Sequence, residues 1–191
     1  PDFRETPQFF KHESTYHIEG GDLHNLNSEN IAVGISQRTE PAAIDTLANN
    51  LLWDENSTIE SVWAIQVPYD DLCIHLDTYF TRVDYETFLV ARELLDQARV
   101  YRITRGRSEG TTRACHVAGG LKEALRLALG SSSLQFILCG GSNPGAAEVE
   151  RTNNATSTLC LEPGKVCVYE ENAETNKALE QAGIDLIPIS I

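Results

Sequence analysis

The chain has 191 residues, 41% of them hydrophobic and 23% charged, which is enough for one domain with a substantial core. Fifteen basic side chains against 28 acidic ones leave a formal net charge of −13, which argues against a nucleic-acid partner, because phosphate binding needs a basic surface. No apolar run approaches the ~20 residues that cross a bilayer, and no basic-then-apolar leader opens the chain, so no membrane partner and a cytoplasmic location are expected.

In chain order, residues 14–19 predict a strand that ends at Gly20-Gly21, a turn that glycine makes cheaply. Residues 23–26 and 30–36 predict a hairpin about Asn27-Ser28-Glu29. Pro41 opens a predicted helix reaching Trp53, with Ile44, Leu47, Leu51 and Leu52 at helical spacing. Residues 61–67 predict a strand broken by Pro68, and 73–81 another, because Ile74, Leu76 and Tyr79 are apolar and β-prone. Residues 85–98 read as helical in their second half, and 100–105 as a strand. Residues 119–130 form an amphipathic helix stopped by Gly130, with Leu121, Leu125 and Leu129 four apart. A buried strand at 134–139, a Gly140-Gly141-Ser142-Asn143 loop and a short helix at 146–151 follow. A hairpin (158–162 and 166–170), a helix (172–183) and a strand (184–191) complete the chain.

The succession hairpin, helix, strand occurs early and again late, a weak internal repeat of a ββαβ unit. No linker or composition shift divides residues 1–191, which read as a single domain. The five cysteines, at 73, 115, 139, 160 and 167, are odd in number and widely spaced, and read as reduced, buried thiols.

The chemistry concentrates in two places. On a strand, residues two apart share a face, so His75 and Asp77 project side by side from an otherwise apolar segment. Glu19 and Asp22 flank the Gly20-Gly21 turn. Three readings compete. His-x-Asp supplies two ligands of a facial metal triad, with His116 as the third. A buried histidine satisfied by a neighbouring carboxylate is the structural reading. The third is a metal-free acid/base site for a cationic planar substrate, since carboxylates grip a guanidinium through parallel N–H···O bonds and a histidine beside a carboxylate serves as a general acid. Such a site needs a nucleophile; Cys73 is a candidate, against a simpler role in the core. Arg38, between a strand and a helix, is a surface arginine or a clamp for a substrate carboxylate.

Four ordered motifs resemble arginine deiminase, a member of the pentein superfamily of guanidino-group-modifying enzymes. They are Ile18-Glu19-Gly20-Gly21-Asp22, Ile31 to Thr39, His75-Leu76-Asp77-Thr78, and Leu161 to Asn172 with Thr175-Asn176 and Leu179. Gly140-Gly141-Ser142-Asn143 is similar to the family's Gly-Gly-Asn loop, with an insertion. The resemblance implies a pentein fold, an α/β propeller of five ββαβ units about a central channel, here incomplete. It implies hydrolysis of L-arginine to L-citrulline and ammonia through a cysteine-bound amidino intermediate, without metal or cofactor. By position, Asp77 holds the guanidinium and His75 protonates the departing ammonia and then activates water. Glu19 binds substrate and orients His75, Asp22 lies behind the substrate or against a gating loop, and Arg38 pairs with the α-carboxylate. The family's nucleophilic cysteine follows the last strand and a second guanidinium-binding aspartate lies upstream, so this chain is expected to be inactive alone. The competing class is a non-catalytic pentein module that binds arginine or a protein. Uncovered sheet edges and core make homo-oligomerisation a further expectation.

Overall fold

The computed structural model describes residues 6–11 and 14–190. Three ββαβ units follow one another. In the first, β1 (Leu23–Asn25) and β2 (Asn30–Ile35) form an antiparallel hairpin, α1 (Pro41–Trp53) crosses over, and β3 (Ser61–Gln66) returns parallel to β2. In the second, β4 (Phe80–Arg82) and β5 (Thr87–Val90) form the hairpin. Their crossover is enlarged by α2 (Arg92–Gln97), β6 (Val100–Arg105), β7 (Thr112–His116) and α3 (Gly120–Leu129) before β8 (Gln135–Leu138) pairs parallel with β5. After α4 (Pro144–Thr152), the third unit runs β9 (Leu159–Glu162), β10 (Lys165–Tyr169), α5 (Ala173–Gln181) and β11 (Asp185–Ile189). The inserted β6–β7 hairpin extends the first sheet to the order β1-β2-β3-β6-β7, beside the sheets β4-β5-β8 and β11-β10-β9. Each of these sheets is open.

Local chemistry accounts for most elements. Pro41 occupies the first turn of α1, whose buried stripe of Ala43, Ile44, Leu47, Ala48, Leu51 and Leu52 packs with Val33, Val62 and Ala64. The stripe of α3 (Leu121, Ala124, Leu125 and Ala128) closes the opposite face over Trp63, Ile65, Phe80 and Phe88. β3, covered on both faces, is buried from Ser61 to Ile65, the pattern of a central strand. Gly130 ends α3 in the left-handed region at φ 64°.

Three sequence expectations need correction. Residues 73–81 are not one strand: His75 is extended, Leu76–Thr78 is a single 3-10 turn, and β4 begins only at Phe80. Leu76 and Tyr79, three apart, both enter the core, and the Tyr79 N–H closes the turn on the Leu76 carbonyl at 2.9 Å. Residues 14–19 are not a strand because they have no ladder partner; the His17 N–H bonds the Glu40 carboxylate and the Glu19 N–H bonds Thr39. The polar, exposed strand β7 was not foreseen. Of the five thiols read as buried, Cys73 and Cys139 are buried, Cys160 and Cys167 are half-buried, and Cys115 is exposed. The last predicted strand ends at Ile189, and Ile191 lies outside the described residues.

Candidate active site

A 3-10 turn, Gly20–Asp22, leads into β1 and carries Glu19 just before it and Asp22 at its end. The turn faces the second one, Leu76–Thr78, which carries His75 and Asp77. The Glu19 carboxylate meets the His75 ring, Oε2 to Nε2, at 2.6 Å. Its other oxygen accepts from Arg38, at 2.8 Å from Nε and 2.6 Å from a terminal guanidinium nitrogen. Both His75 and Asp77 close on Gly21, where an added Cβ would sit 3.0 Å from Asp77 Oδ2 and 3.0 Å from His75 Cγ. Only glycine leaves that space to the two side chains. His75 and Asp77 thus lie side by side against Gly21, carried by a turn rather than a strand.

Asp22, expected to bind substrate or stand behind it, is fully buried. Its Oδ1 accepts the Leu76 N–H at 2.8 Å, and its Oδ2 accepts Ser36 Oγ at 2.7 Å and Thr39 Oγ1 at 2.6 Å. It lies against β2 so closely that a Cβ at Gly34 would be 2.3 Å from Oδ1. The 75–78 turn is also tied from the other side. The Thr78 carbonyl accepts Thr156 Oγ1 at 2.5 Å, and the Asp77 carbonyl accepts Ser157 Oγ at 3.3 Å.

The charges follow from these contacts. Glu19 is held below the ordinary carboxylate range, first by the Arg38 hydrogen bond and then by that of His75. Asp77 is pushed up, chiefly by its burial; the neighbouring His75 opposes that shift and Asp22 adds to it. Burial raises the thiols of Cys73 and Cys139, the latter to about 11, which is the opposite of an activated thiolate. Cys73 Sγ lies 4.0 Å from the Arg151 carbonyl within the main core. His116, the third ligand of the metal reading, stands on exposed β7 with its ring 5.6 Å from that of Tyr101. Among the described residues, no three His, Cys, Asp or Glu side chains group as metal ligands would.

Sequence reasoning passed over Ser36 and Thr39. Both flank Arg38 at the exit of β2, and their one local signal is a pair of hydroxyl residues in a polar loop of the kind that bonds backbone amides.

A family model described as arginine deiminase matches residues 1–191. The chain belongs to the arginine deiminase family. The arginine deiminase of Treponema denticola is 37% identical over 180 residues, spanning 94% of this chain and 44% of that protein. That of Streptococcus equi subsp. equi is 39% identical over 183 residues, 96% of this chain and 44% of the relative. That of Bacillus cereus is 37% identical over 194 residues, 96% and 47%. The chain therefore spans about half the length of these deiminases. Among solved structures, an amidinotransferase from Microseira wollei in the saxitoxin biosynthetic pathway aligns with a TM-score of 0.53 at 18% identity, over 89% of this chain and 41% of that one. The chain shares its mixed α/β fold with that amidinotransferase.

Proposed function

We propose that residues 1–191 carry the acid–base and guanidinium-binding part of an arginine deiminase site, in a protein that hydrolyses L-arginine to L-citrulline and ammonia. The observation that carries this reading is the 2.6 Å Glu19–His75 pair set beside half-buried Asp77 across Gly21. Asp77 accepts the guanidinium N–H groups. Glu19 accepts from the same planar cation, exchanging its Arg38 partner for it, and keeps the His75 ring in place; the carboxylate–guanidinium contact it already makes with Arg38 supports this. A cysteine thiolate attacks the guanidinium carbon, and His75 gives a proton to the ammonia that leaves. His75 then takes a proton from the water that attacks the amidino carbon, which releases citrulline and the thiol. Arg38, exposed at the exit of β2, pairs with the substrate α-carboxylate. Asp22 acts as a positioning residue behind them. In this reading the three ββαβ units are part of a closed pentein ring. None of this chain's five cysteines is the nucleophile, and no metal or cofactor is used.

The test is calorimetric titration of purified 1–191 with L-arginine, together with a citrulline assay. Arginine binds, Asp77→Asn weakens binding about tenfold or more, as the loss of a charge-assisted pair implies, and no citrulline forms above the buffer level. Citrulline production would overturn the assignment of the nucleophile. A folded chain that ignores arginine would overturn the site. Extended to the length of its relatives, the chain turns over arginine; binding without turnover at that length would make it a binding module instead.

A further inference from the structure

We propose that Thr39 is a positioning residue whose hydroxyl sets the distance between Glu19 and His75. The inference rests on the reading of that pair as the working centre of the site. Glu19 and His75 are 56 residues apart, and each sits at the edge of a one-turn helix that cannot hold itself in register with the other. Two hydrogen-bonded routes join their backbones, both through Asp22: within the first turn the Asp22 N–H donates to the Glu19 carbonyl at 3.1 Å, and a second route, through side chains, passes through Thr39. The Glu19 N–H donates to Thr39 Oγ1 at 3.1 Å, the Thr39 hydroxyl donates to Asp22 Oδ2 at 2.6 Å, and Asp22 Oδ1 accepts the N–H of Leu76, next to His75, at 2.8 Å.

The proton count leaves Thr39 no freedom. A backbone N–H only donates, so a Thr39 oxygen lone pair takes the Glu19 N–H, and the one hydroxyl proton is left for Asp22 Oδ2. Thr39 is fully buried, so water cannot replace either bond. Ser36 also donates to Asp22, at 2.7 Å, but its lone pairs receive the N–H groups of Arg38 and Thr39, at 3.0 and 3.1 Å. It therefore shapes the loop, whereas of the two hydroxyls only that of Thr39 reaches Glu19. β-Branching adds to the effect by restricting the Thr39 side chain to few rotamers.

The experiment is proton NMR of labelled 1–191. An imidazole N–H held in a 2.6 Å bond to a carboxylate gives a downfield, slowly exchanging resonance. That resonance is expected in the wild-type chain, lost in Glu19→Gln and in Thr39→Val, and kept in Thr39→Ser. It is also kept in Thr46→Val, where a hydroxyl is lost from the exposed face of α1. An unchanged resonance in Thr39→Val, with only a lower melting temperature, would make Thr39 structural and overturn the proposal. If Thr39→Val does not fold, Thr39→Cys, small and weakly hydrogen-bonding, is judged by the same criterion. A wild-type chain without the resonance would remove the pair on which the inference rests. Failure to bind arginine with the NMR pattern intact would overturn the proposed function and leave the positioning role standing.

Discussion

Asp22 is a buried carboxylate held by two hydroxyls and one backbone N–H, with Gly34 pressed against it. A methyl at Gly34 would fall 2.3 Å from Asp22 Oδ1 and 2.9 Å from Leu76 Cβ. Both neighbours are fixed from several sides, so neither can yield cheaply. Gly34→Ala is expected to destabilise the chain by about 1–3 kcal/mol, read as a lower urea midpoint at an unchanged slope. Two residues beyond Asp22, the His24 ring packs edge-on to Phe80 with centroids 5.4 Å apart, and burial pushes its pKa down from 6.5 to about 4. Between those values the unfolded chain binds more protons than the folded one. The stability His24 contributes is thus complete above pH 6.5 and is lost as pH falls towards 4, on the order of 3 kcal/mol in all. Urea titrations from pH 7 to pH 4.5 should show a steeper loss in the wild-type chain than in His24→Gln. Parallel curves would refute this account of His24.

At the scale of elements, α5 depends on a cap from outside itself. Asn172, at its N-terminal boundary, makes no side-chain capping bond. Glu150 of α4 instead accepts the N–H groups of Glu174 and Thr175, at 2.9 and 2.8 Å, and the Thr175 hydroxyl at 2.6 Å. The carboxylate also lies at the positive end of the α5 dipole. Thr175 in turn accepts the Gly140 N–H at 2.8 Å, so one buried acid joins α4, α5 and the loop after β8. Glu150→Ala should cost about 2 kcal/mol or more, because three donors lose their acceptor. Hydrogen exchange should quicken first at Glu174 and Thr175, and Glu150→Gln should retain part of the protection. Unchanged exchange at those two amides would show that water or Asn172 caps α5 as well.

Across the whole molecule, the ββαβ units do not own separate cores. One cluster joins Val83, Leu89 and Ile137 of the second unit to Val166, Val168, Leu179 and Ile184 of the third. Another joins Ala32, Trp63 and Ile65 of the first to Phe80, Phe88 and Val90 of the second. Leu89→Ala should therefore cost about 2–5 kcal/mol and lower hydrogen-exchange protection in β10 and α5, which belong to the third unit. Protection lost only in β4, β5 and β8 would mean that the units unfold independently. The face of the third sheet turned away from this cluster carries Leu159, Leu161, Ile187 and Ile189 in exposed positions.

Much of this was legible in the sequence because it depends on neighbours in the chain. Pro41, the 3.6-residue stripes of α1 and α3, and Gly130 fix those helices locally. The Pro163-Gly164 turn sets the β9–β10 hairpin in the same way. The first and third ββαβ units were readable because each is contiguous; the second was not, because 44 residues separate β5 from its partner β8 (135 − 90 − 1 = 44). The residue types at Glu19, Arg38, His75 and Asp77, and with them the family, were there to read. The sequence could not show that residues 76–78 turn, since that depends on Asp22, 54 positions earlier, accepting the Leu76 N–H. Nor could it show that Arg38 rests on Glu19, or that Ser36 and Thr39 bind Asp22. Backbone periodicity is a property of adjacent residues and survives in a linear reading. The pairing of buried polar groups is decided only when distant segments exclude water together, and that belongs to the tertiary structure.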